Sequence, residues 1–554
     1  MQIAVTQFGF IGSWRGDLTH LISQNSQVPW QQITSQQVGI EAGRGIVNQG
    51  GDAWAEEKDD TLTLGRHPFG RVTLYWCQTE QGLWFATRWR WLLPLVEQEI
   101  DPLAVYGYAC FSYVPTPLTP YKGIKAIEAG WRYTWEGENL ITKATDPILE
   151  DWQEQTELLT DEGTAVQKLQ FLLTAAVAQQ VDDLQGQTVG IFLSGGLDSA
   201  TVAALLKRSG IRVRAYTLDF GQYGISELPY AELVARHLDI PLVKVECSPQ
   251  RVKRSVLETA LALDLPFGDG VCVPLWLLYQ AARQECDVIF NGEGGDQLFA
   301  GWTNKPIIAA SLYRQPAIDF TAQYLQTFHR LWGYEAEVFT PQFWQCVQDW
   351  QPGTWLTAAL AGRGSLLARL RRATLMLKGA QNIHPRASNL ALYQGIKLRS
   401  PFCDENLARW TFTVHSDLFL RGACEKYILK RAVELWLPPE VVWRDKRGMG
   451  VPLTQWCLQP LWHDLGKWLN PQVLAREGLW QADLAAKVAF GRLGSVLRKR
   501  RVGEILWLLL AWQFWRSQLQ NYPCETSWRH PFLLPYWFWT KTGLYSYWRN
   551  RNEY

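Results

Sequence analysis

Residues 188–204 read TVGIFLSGGLDSATVAA, an apolar run, a glycine-rich break and the start of a second apolar run. The run 189–193 is short and β-branched at its start, which predicts a buried strand. Ser194-Gly195-Gly196 stops it abruptly, and a helix is predicted to open near Ser199. Adjacent glycines permit a tight turn and the close approach of a ligand or another backbone. The turn leads into a helix N-terminus, where unpaired N–H groups and the helix dipole favour an anion such as phosphate. Asp198 is out of place in an anion site unless a cation such as Mg²⁺ lies between carboxylate and phosphate. On its own, such a turn could be plain punctuation between elements.

A second stretch, 287–302, DVIFNGEGGDQLFAGW, repeats the design: apolar strand end, glycine-rich turn, acidic residues, apolar helix start. Two loops of this kind, each with an aspartate at the turn, suit two walls of one metal–pyrophosphate site. SGGLDS resembles the pyrophosphate-loop signature of ATP pyrophosphatases. The two stretches together resemble the synthetase domain of asparagine synthetases, whose relatives include β-lactam synthetases and lasso-peptide cyclases. Further matches are Ser226-Glu227 followed by Ala231, LRSPFCD (398–404), EKYILKRA (425–432) and LPPEVVWRDKRGMGVP (437–452), all in family order.

At 554 residues the chain is long enough for two or three domains with sizeable cores. A net charge of +1 gives no general argument for a nucleic-acid or anionic-membrane partner. The basic runs 369–372 and 498–501 are expected to be solvated helix faces, and most of the 30 Trp residues to be core and helix-packing residues. Ten cysteines show no CxxC and no Cys/His cluster of zinc spacing, as expected for thiols in a reducing cytosol. No signal peptide is visible and the apolar run 505–515 is too short to span a bilayer, so the expectation is a cytoplasmic protein without a membrane partner.

Four stretches are expected, in order, along the chain. Residues 1–145 read as β-rich, with segments 61–64, 71–77, 82–87 and 131–135 separated by Gly, Asp and Pro. Residues 146–160 read as a linker, 161–460 as the synthetase domain and 461–554 as a helical extension. An amphipathic helix is predicted over 161–184. Strands at 189–193, 213–218, 242–246 and 288–291 then alternate with helices at 200–207, 228–237 and 275–284. That rhythm predicts an α/β fold with a doubly wound parallel sheet, whose ligands bind at the carboxyl ends of strands, where both glycine-rich loops fall.

The β-rich part carries a thinner resemblance. GRHPFGRVTLYW (65–76), GLWFAT (82–87), DPLAVYGY (101–108) and PTPLTPYKGIKAIEAG (115–130) match the later part of the family's glutamine amidotransferase domain, an α+β glutaminase fold. The resemblance fails at the start. The family's nucleophile is a cysteine exposed by removal of Met, whereas Gln2 stands here and the first cysteine is Cys77. The family's early substrate-clamping motifs are missing too. Without a thiolate or an equivalent nucleophile the glutamine amide is not attacked, so an inactive, retained glutaminase domain is expected.

The resemblance implies roles for individual residues. ATP is expected over Ser194, Gly195, Gly196, Asp198 and Ser199. Leu193 and Leu218, at neighbouring strand ends, match positions lining adenine and ribose, although leucines there are commonly core. Asn291 and Gly292 match positions where backbone meets the nucleotide. Asp198 and Asp296 are the expected Mg²⁺ ligands; either alone could be an ordinary helix cap. Glu293 matches a glutamate tied to forming and using an acyl-adenylate, with a carboxylate able to orient and deprotonate an amine. Lys446 matches a lysine that reaches the α-phosphate and reacting carbonyl. Glu227, Asp269, Arg399 and Asp404 match substrate-side positions, where each could equally be a structural ion pair. One departure is Gln297, where the family usually has a second acid.

The expectation is an AMP-forming carbon–nitrogen ligase using ATP and Mg²⁺, joining a small-molecule or peptide carboxylate to ammonia or another amine. Macrolactam, β-lactam or peptide cyclisation is the alternative within the family, and a homodimer is left open. A tRNA-modifying pyrophosphate-loop enzyme would call for a basic surface, and thiolases also for paired cysteines. A non-catalytic ATP-binding scaffold should have lost Asp198, Asp296, Glu293 or Lys446, and all four are present.

Overall fold

The computed structural model describes residues 1–48, 50–224, 227–302, 320–493 and 499–519. Ser226, Arg498 and the aromatic tail beyond Tyr522 lie outside the described residues, as do the side chains of Lys499, Arg500 and Arg501.

Five parallel strands form the central sheet, in the spatial order Leu242–Glu246, Arg212–Asp219, Thr188–Phe192, Val288–Phe290, Lys397–Arg399. Val189 to Phe192 are all buried, as befits a strand covered by helices on both faces. Chain order reverses between Thr188–Phe192 and Val288–Phe290, which pair with Ile191 opposite Phe290. Connections leave this point in opposite directions, and a crevice opens at the carboxyl ends of the two strands. The expected doubly wound arrangement is therefore present.

Several local features differ from expectation. The helix after the first glycine loop spans Leu197–Arg208, so Asp198 and Ser199 lie in its first turn. Helix Pro249–Ala262 and the edge strand Lys397–Arg399 were unforeseen. That strand is three residues long with a charge at each end, too short to show a period. Within 146–160, Leu149 and Trp152 are buried around the single turn Ile148–Asp151, so the segment is anchored. The basic run 369–372 is not a solvated face. Arg371 is buried, with Nε donating to Leu298 O at 2.7 Å and both Nη atoms to Thr411 O at 3.1 Å. Arg372 is buried as well, donating to Ala358 O and Ala359 O.

The N-terminal part consists of two six-stranded antiparallel sheets. One core lies between them, with Ile3, Phe10, Trp14 and Phe85 from one sheet meeting Ile40, Leu62, Leu64 and Trp135 from the other. The alternate residues Ala4, Ile11, Trp84 and Ala86 face outward into a core continuous with the parallel-sheet region. Period-two alternation thus serves two cores at once. The strand expected over 71–77 pairs only as Tyr75–Thr79. Its first residues are diverted: Val72 O accepts from Arg66 Nε at 3.0 Å and the Arg71 side chain reaches Leu398 O.

Arg66 ties the two regions together. It is buried, and its guanidinium donates to Val72 O, Ile127 O and Gly70 O, and across to Ala380 O at 2.9 Å. Beside it the His384 Nδ1–H donates to Phe69 O at 2.6 Å, and burial lowers the imidazole to about 4, which keeps it neutral. Arg66→Met is expected to leave four buried carbonyls without this donor and to cost roughly 3 kcal/mol or more. Thermal denaturation of the full chain checks this; an unchanged melting temperature would contradict it.

Candidate active site

Both glycine-rich loops leave the sheet at the crevice. Gly195 has φ +70°, and a Cβ there would lie 2.6 Å from Ala231 N, so the loop needs glycine for conformation and space. Gly196 is the N-cap of Leu197–Arg208 and has no side chain to bond the first N–H groups of the helix. Ser199 Oγ accepts from Ser194 N at 3.2 Å, and Ser194 Oγ accepts from Gly196 N at 3.2 Å, which folds the loop over the helix end. The second loop lies directly on the first. A Cβ on Gly295 would lie 2.6 Å from Asp198 Cγ, and one on Gly292 2.9 Å from Asp198 Cβ.

This contact brings Asp198 and Asp296 together around Lys426. The buried Lys426 Nζ is 2.6 Å from Asp198 Oδ1 and 2.5 Å from Asp296 Oδ1. Lys446 Nζ approaches from another side, 2.9 Å from Asp296 Oδ2 and 4.0 Å from Asp198 Oδ2. Burial opposes ionisation of Asp296, yet Lys426 and Lys446 hold it well below the usual carboxylate range. Burial pushes Asp198 up, against the pull of Lys426. Lys446 is held above its ordinary value by Asp296 and Asp198 despite its burial. Lys426 went unassigned in the sequence, although EKYILKRA was a family match. Its backbone is in the left-handed region, φ 54°, an uncommon state for a non-glycine residue that often marks a functional site.

The donors suit Mg²⁺. Two carboxylates offer hard oxygen ligands, and buried Asp296 Oδ1 has no well-directed hydrogen bond. Among the described residues no cluster of three or more His, Cys, Asp or Glu side chains forms. Two carboxylates fit an ion that takes its remaining ligands from phosphate and water, and the two ammonium groups suit phosphate oxygens.

The other predicted residues divide into two groups. Leu193 is buried just beyond Thr188–Phe192, donating its N–H to Tyr216 O, and half-buried Leu218 is the penultimate residue of the neighbouring strand Arg212–Asp219. Asn291 is buried, its Oδ1 accepting from Ser400 Oγ at 2.7 Å and Glu293 N at 3.2 Å, so it braces the second loop. Glu293 follows, and burial raises its carboxyl to about 8, against the Asn291 hydrogen bond and the Arg71 charge. Glu227 is ion-paired at 2.8 Å with Arg444, which also donates to Gly195 O at 3.2 Å; it serves the first loop through Arg444.

Three residues spend their side chains on structure. Asp269 is paired with Arg386. Arg399 grips Asp183 through both Nη atoms, at 2.6 and 2.8 Å, and donates Nε to Gly43 O. Asp404 caps helix Glu405–Thr411 through Leu407 N at 2.8 Å.

Two phosphate-suited loops at the switch point of a doubly wound sheet define a nucleotide-binding fold of the pyrophosphate-loop type. Residues 168–517 match the asparagine synthase family profile and residues 52–144 match the glutamine amidotransferase domain; the chain belongs to the asparagine synthase family. A Mycobacterium tuberculosis protein named as a candidate glutamine-hydrolysing asparagine synthetase is 27% identical over 83% of this chain and 75% of its own length. Glutamine-hydrolysing asparagine synthetase 1 of Bacillus subtilis is 24% identical over 75% of this chain and 68% of its own. An NMN synthetase structure from Francisella tularensis is 18% identical over 26% of this chain and 60% of its own, with a TM-score of 0.20, a likeness that carries no weight. Family membership makes the protein a ligase of the ATP-dependent amidating type.

Lys426→Met is expected to leave the buried Asp198 and the half-buried Asp296 without their central counter-charge, costing about 3 kcal/mol. Thermal melts with and without millimolar Mg²⁺ check it: the variant should melt lower and gain more from Mg²⁺ than the parent. Equal gains would remove Lys426 from the charge balance of the site.

Proposed function

We propose that the protein activates a carboxylate with ATP and passes the acyl group to an amine. The observation that supports this most is the meeting of Asp198, Asp296, Lys426 and Lys446 at the carboxyl ends of the two central strands. A carboxylate oxygen of the substrate attacks the α-phosphorus, the bond to the bridging oxygen breaks, and pyrophosphate leaves. The amine nitrogen then attacks the acyl carbon, AMP departs with the C–O bonding pair, and the nitrogen loses a proton. Mg²⁺ held by Asp198 and Asp296 would offset the charge growing on pyrophosphate. The first-loop N–H groups and Lys446 orient the phosphates, and Lys446 meets the negative charge developing at the α-phosphate and acyl oxygen.

Glu293 is the group for the amine's proton. With its carboxyl at about 8, it is mostly protonated at neutral pH and becomes a base as pH rises. Amide formation is therefore expected to climb with pH through about 8 in the parent, and to fall ~10²–10⁴-fold with a flattened profile in Glu293→Gln. Pyrophosphate exchange with the cognate acid should fall less. Loss of exchange with normal attack on preformed adenylate would make Glu293 an activation residue and overturn its role as base.

The nitrogen donor is proposed to be an amine or ammonia that this chain does not release from glutamine. Cys77 and Cys110 are the cysteines of residues 1–145, and both are buried. Burial raises the Cys77 thiol to about 12 and the Cys110 thiol well above its ordinary value. Neither is a ready nucleophile. Purified protein supplied with glutamine is expected to release no glutamate above an enzyme-free control; clear turnover would refute this.

A further inference from the structure

Lys446 stands on a stretch without regular structure, between helices Pro439–Val442 and Leu453–Leu458, and residues 447–450 beyond it are exposed. A lysine carries its charge on a flexible stem, so its aim depends on how firmly its backbone is held. Two side chains from another segment do the holding. Glu425 Oε1 accepts from Lys446 N at 3.0 Å, and Lys430 Nζ donates to Arg444 O at 3.3 Å. Glu425 is 1% exposed and Lys430 3%, so both charges lie inside the protein. They are 3.5 Å apart and offset one another.

Both residues come from the segment that delivers Lys426. Glu425 ends the two-residue strand Cys424–Glu425, which pairs with Leu420–Arg421, and Lys430 lies one turn into helix Tyr427–Val433. One short segment therefore sets Lys426 through its own backbone and Lys446 through a side chain. Arg444 fastens the same stretch on its other side, gripping Gly195 O at 3.2 Å and Glu227 at 2.8 Å. Its guanidinium also lies 4.0 Å over the Tyr230 ring. A carboxylate buried as far as Glu425 is costly even when paired, and its Oε1 is directed at the backbone of Lys446 as well as at Lys430.

We propose that Glu425 is a positioning residue for Lys446: its carboxylate oxygen fixes the Lys446 backbone so that the ammonium meets Asp296 and the nucleotide phosphates. Lys430 balances the charge that this oxygen brings into the interior. The proposal rests on the adenylating function above and adds to it a residue that acts through Lys446. What the position demands is an oxygen at the reach of a glutamate, and the charge is secondary.

Two variants of the full chain separate reach from charge. Glu425→Gln keeps an oxygen at the same reach and gives up the charge, whereas Glu425→Asp keeps the charge and withdraws the oxygen by one methylene. Both are read by calorimetric binding of α,β-methylene ATP with Mg²⁺ and, separately, by pyrophosphate exchange with the cognate acid. Glu425→Asp is expected to lower exchange ~10–10²-fold, as a displacement of about 1 Å at a reacting group can, and to weaken binding of the analogue. Glu425→Gln should retain more of both. In a Lys446→Ala background Glu425→Asp should cost no more than about 2-fold, since the group it positions is gone. Glu425→Asp equal to or better than Glu425→Gln overturns the proposal, because charge balance alone would then explain the pair. A Glu425→Asp loss that persists in full without the Lys446 side chain overturns it too. If Glu425→Asp fails to fold, residue-resolved amide exchange on the parent decides: the Lys446 N–H should exchange more slowly than those of Arg447 and Gly448, and equal rates overturn the proposal. The expected order in nucleotide binding from a parent that shows no pyrophosphate exchange counts against adenylation and leaves the positioning role standing.

Discussion

The ammonium of Lys426 holds together two carboxylates that the chain delivers on separate loops. Asp198 and Asp296 each follow a strand end by a few residues, and the strands are neighbours in the sheet. Without a cation between them, two carboxylates held this near one another would repel, and proton uptake by one would be favoured. Lys426 reaches this place from a backbone held in the left-handed region, a strain of order 1–3 kcal/mol that the surrounding fold sustains. With Lys446 the cluster has two charges of each sign, so the fold tolerates it before any nucleotide arrives. A bound metal and phosphates would compete for the same carboxylates and ammonium groups, which makes the cluster an exchangeable arrangement of charge.

The N-terminal sheets form well-filled cores, with Cys77 and Cys110 both buried. Their inner faces form a sandwich of their own, and their outer residues extend the core that also packs the parallel-sheet region. Arg66, Phe69 and Arg71, from one short stretch, bond respectively to Ala380, His384 and Leu398. The stretch thereby braces both the π-helical segment Leu375–Ile383 and the last strand of the parallel sheet. Arg88, paired at 2.9 Å with the buried Asp264, adds a further tie.

How much of this was legible depended on how local the cause was. The strand–loop–helix units around Ser194 and Asn291 were readable because apolar runs, glycines and aspartates lie within a few residues of one another. Helix Leu228–Leu238 and strand Leu242–Glu246 followed from periodicity in the same way. Lys426 was not assigned because its role exists only once loops far apart in sequence meet. Arg371 read as solvated because charge usually means exposure, whereas its guanidinium satisfies backbone carbonyls of two other segments. Arg399 and Asp404 lay in a true family motif, yet motif membership did not distinguish a side chain that grips Asp183 or caps a helix from one that meets substrate. The π-helix has no pattern in sequence, since its extra residue per turn is imposed by packing.

The edge strand Lys397–Arg399 has one neighbour in the sheet, Val288–Phe290. On its free side Leu398 N donates to Ala42 O at 3.1 Å, and Leu398 O accepts from Arg71 at 2.6 Å. Both caps come from the N-terminal sheets. Shorn of those sheets, the synthetase region would present a bare β edge able to pair with the same edge of another copy. The N-terminal region thus covers an edge that could otherwise pair with another chain. Covering that edge is a structural task for this region that asks nothing of any catalytic residue.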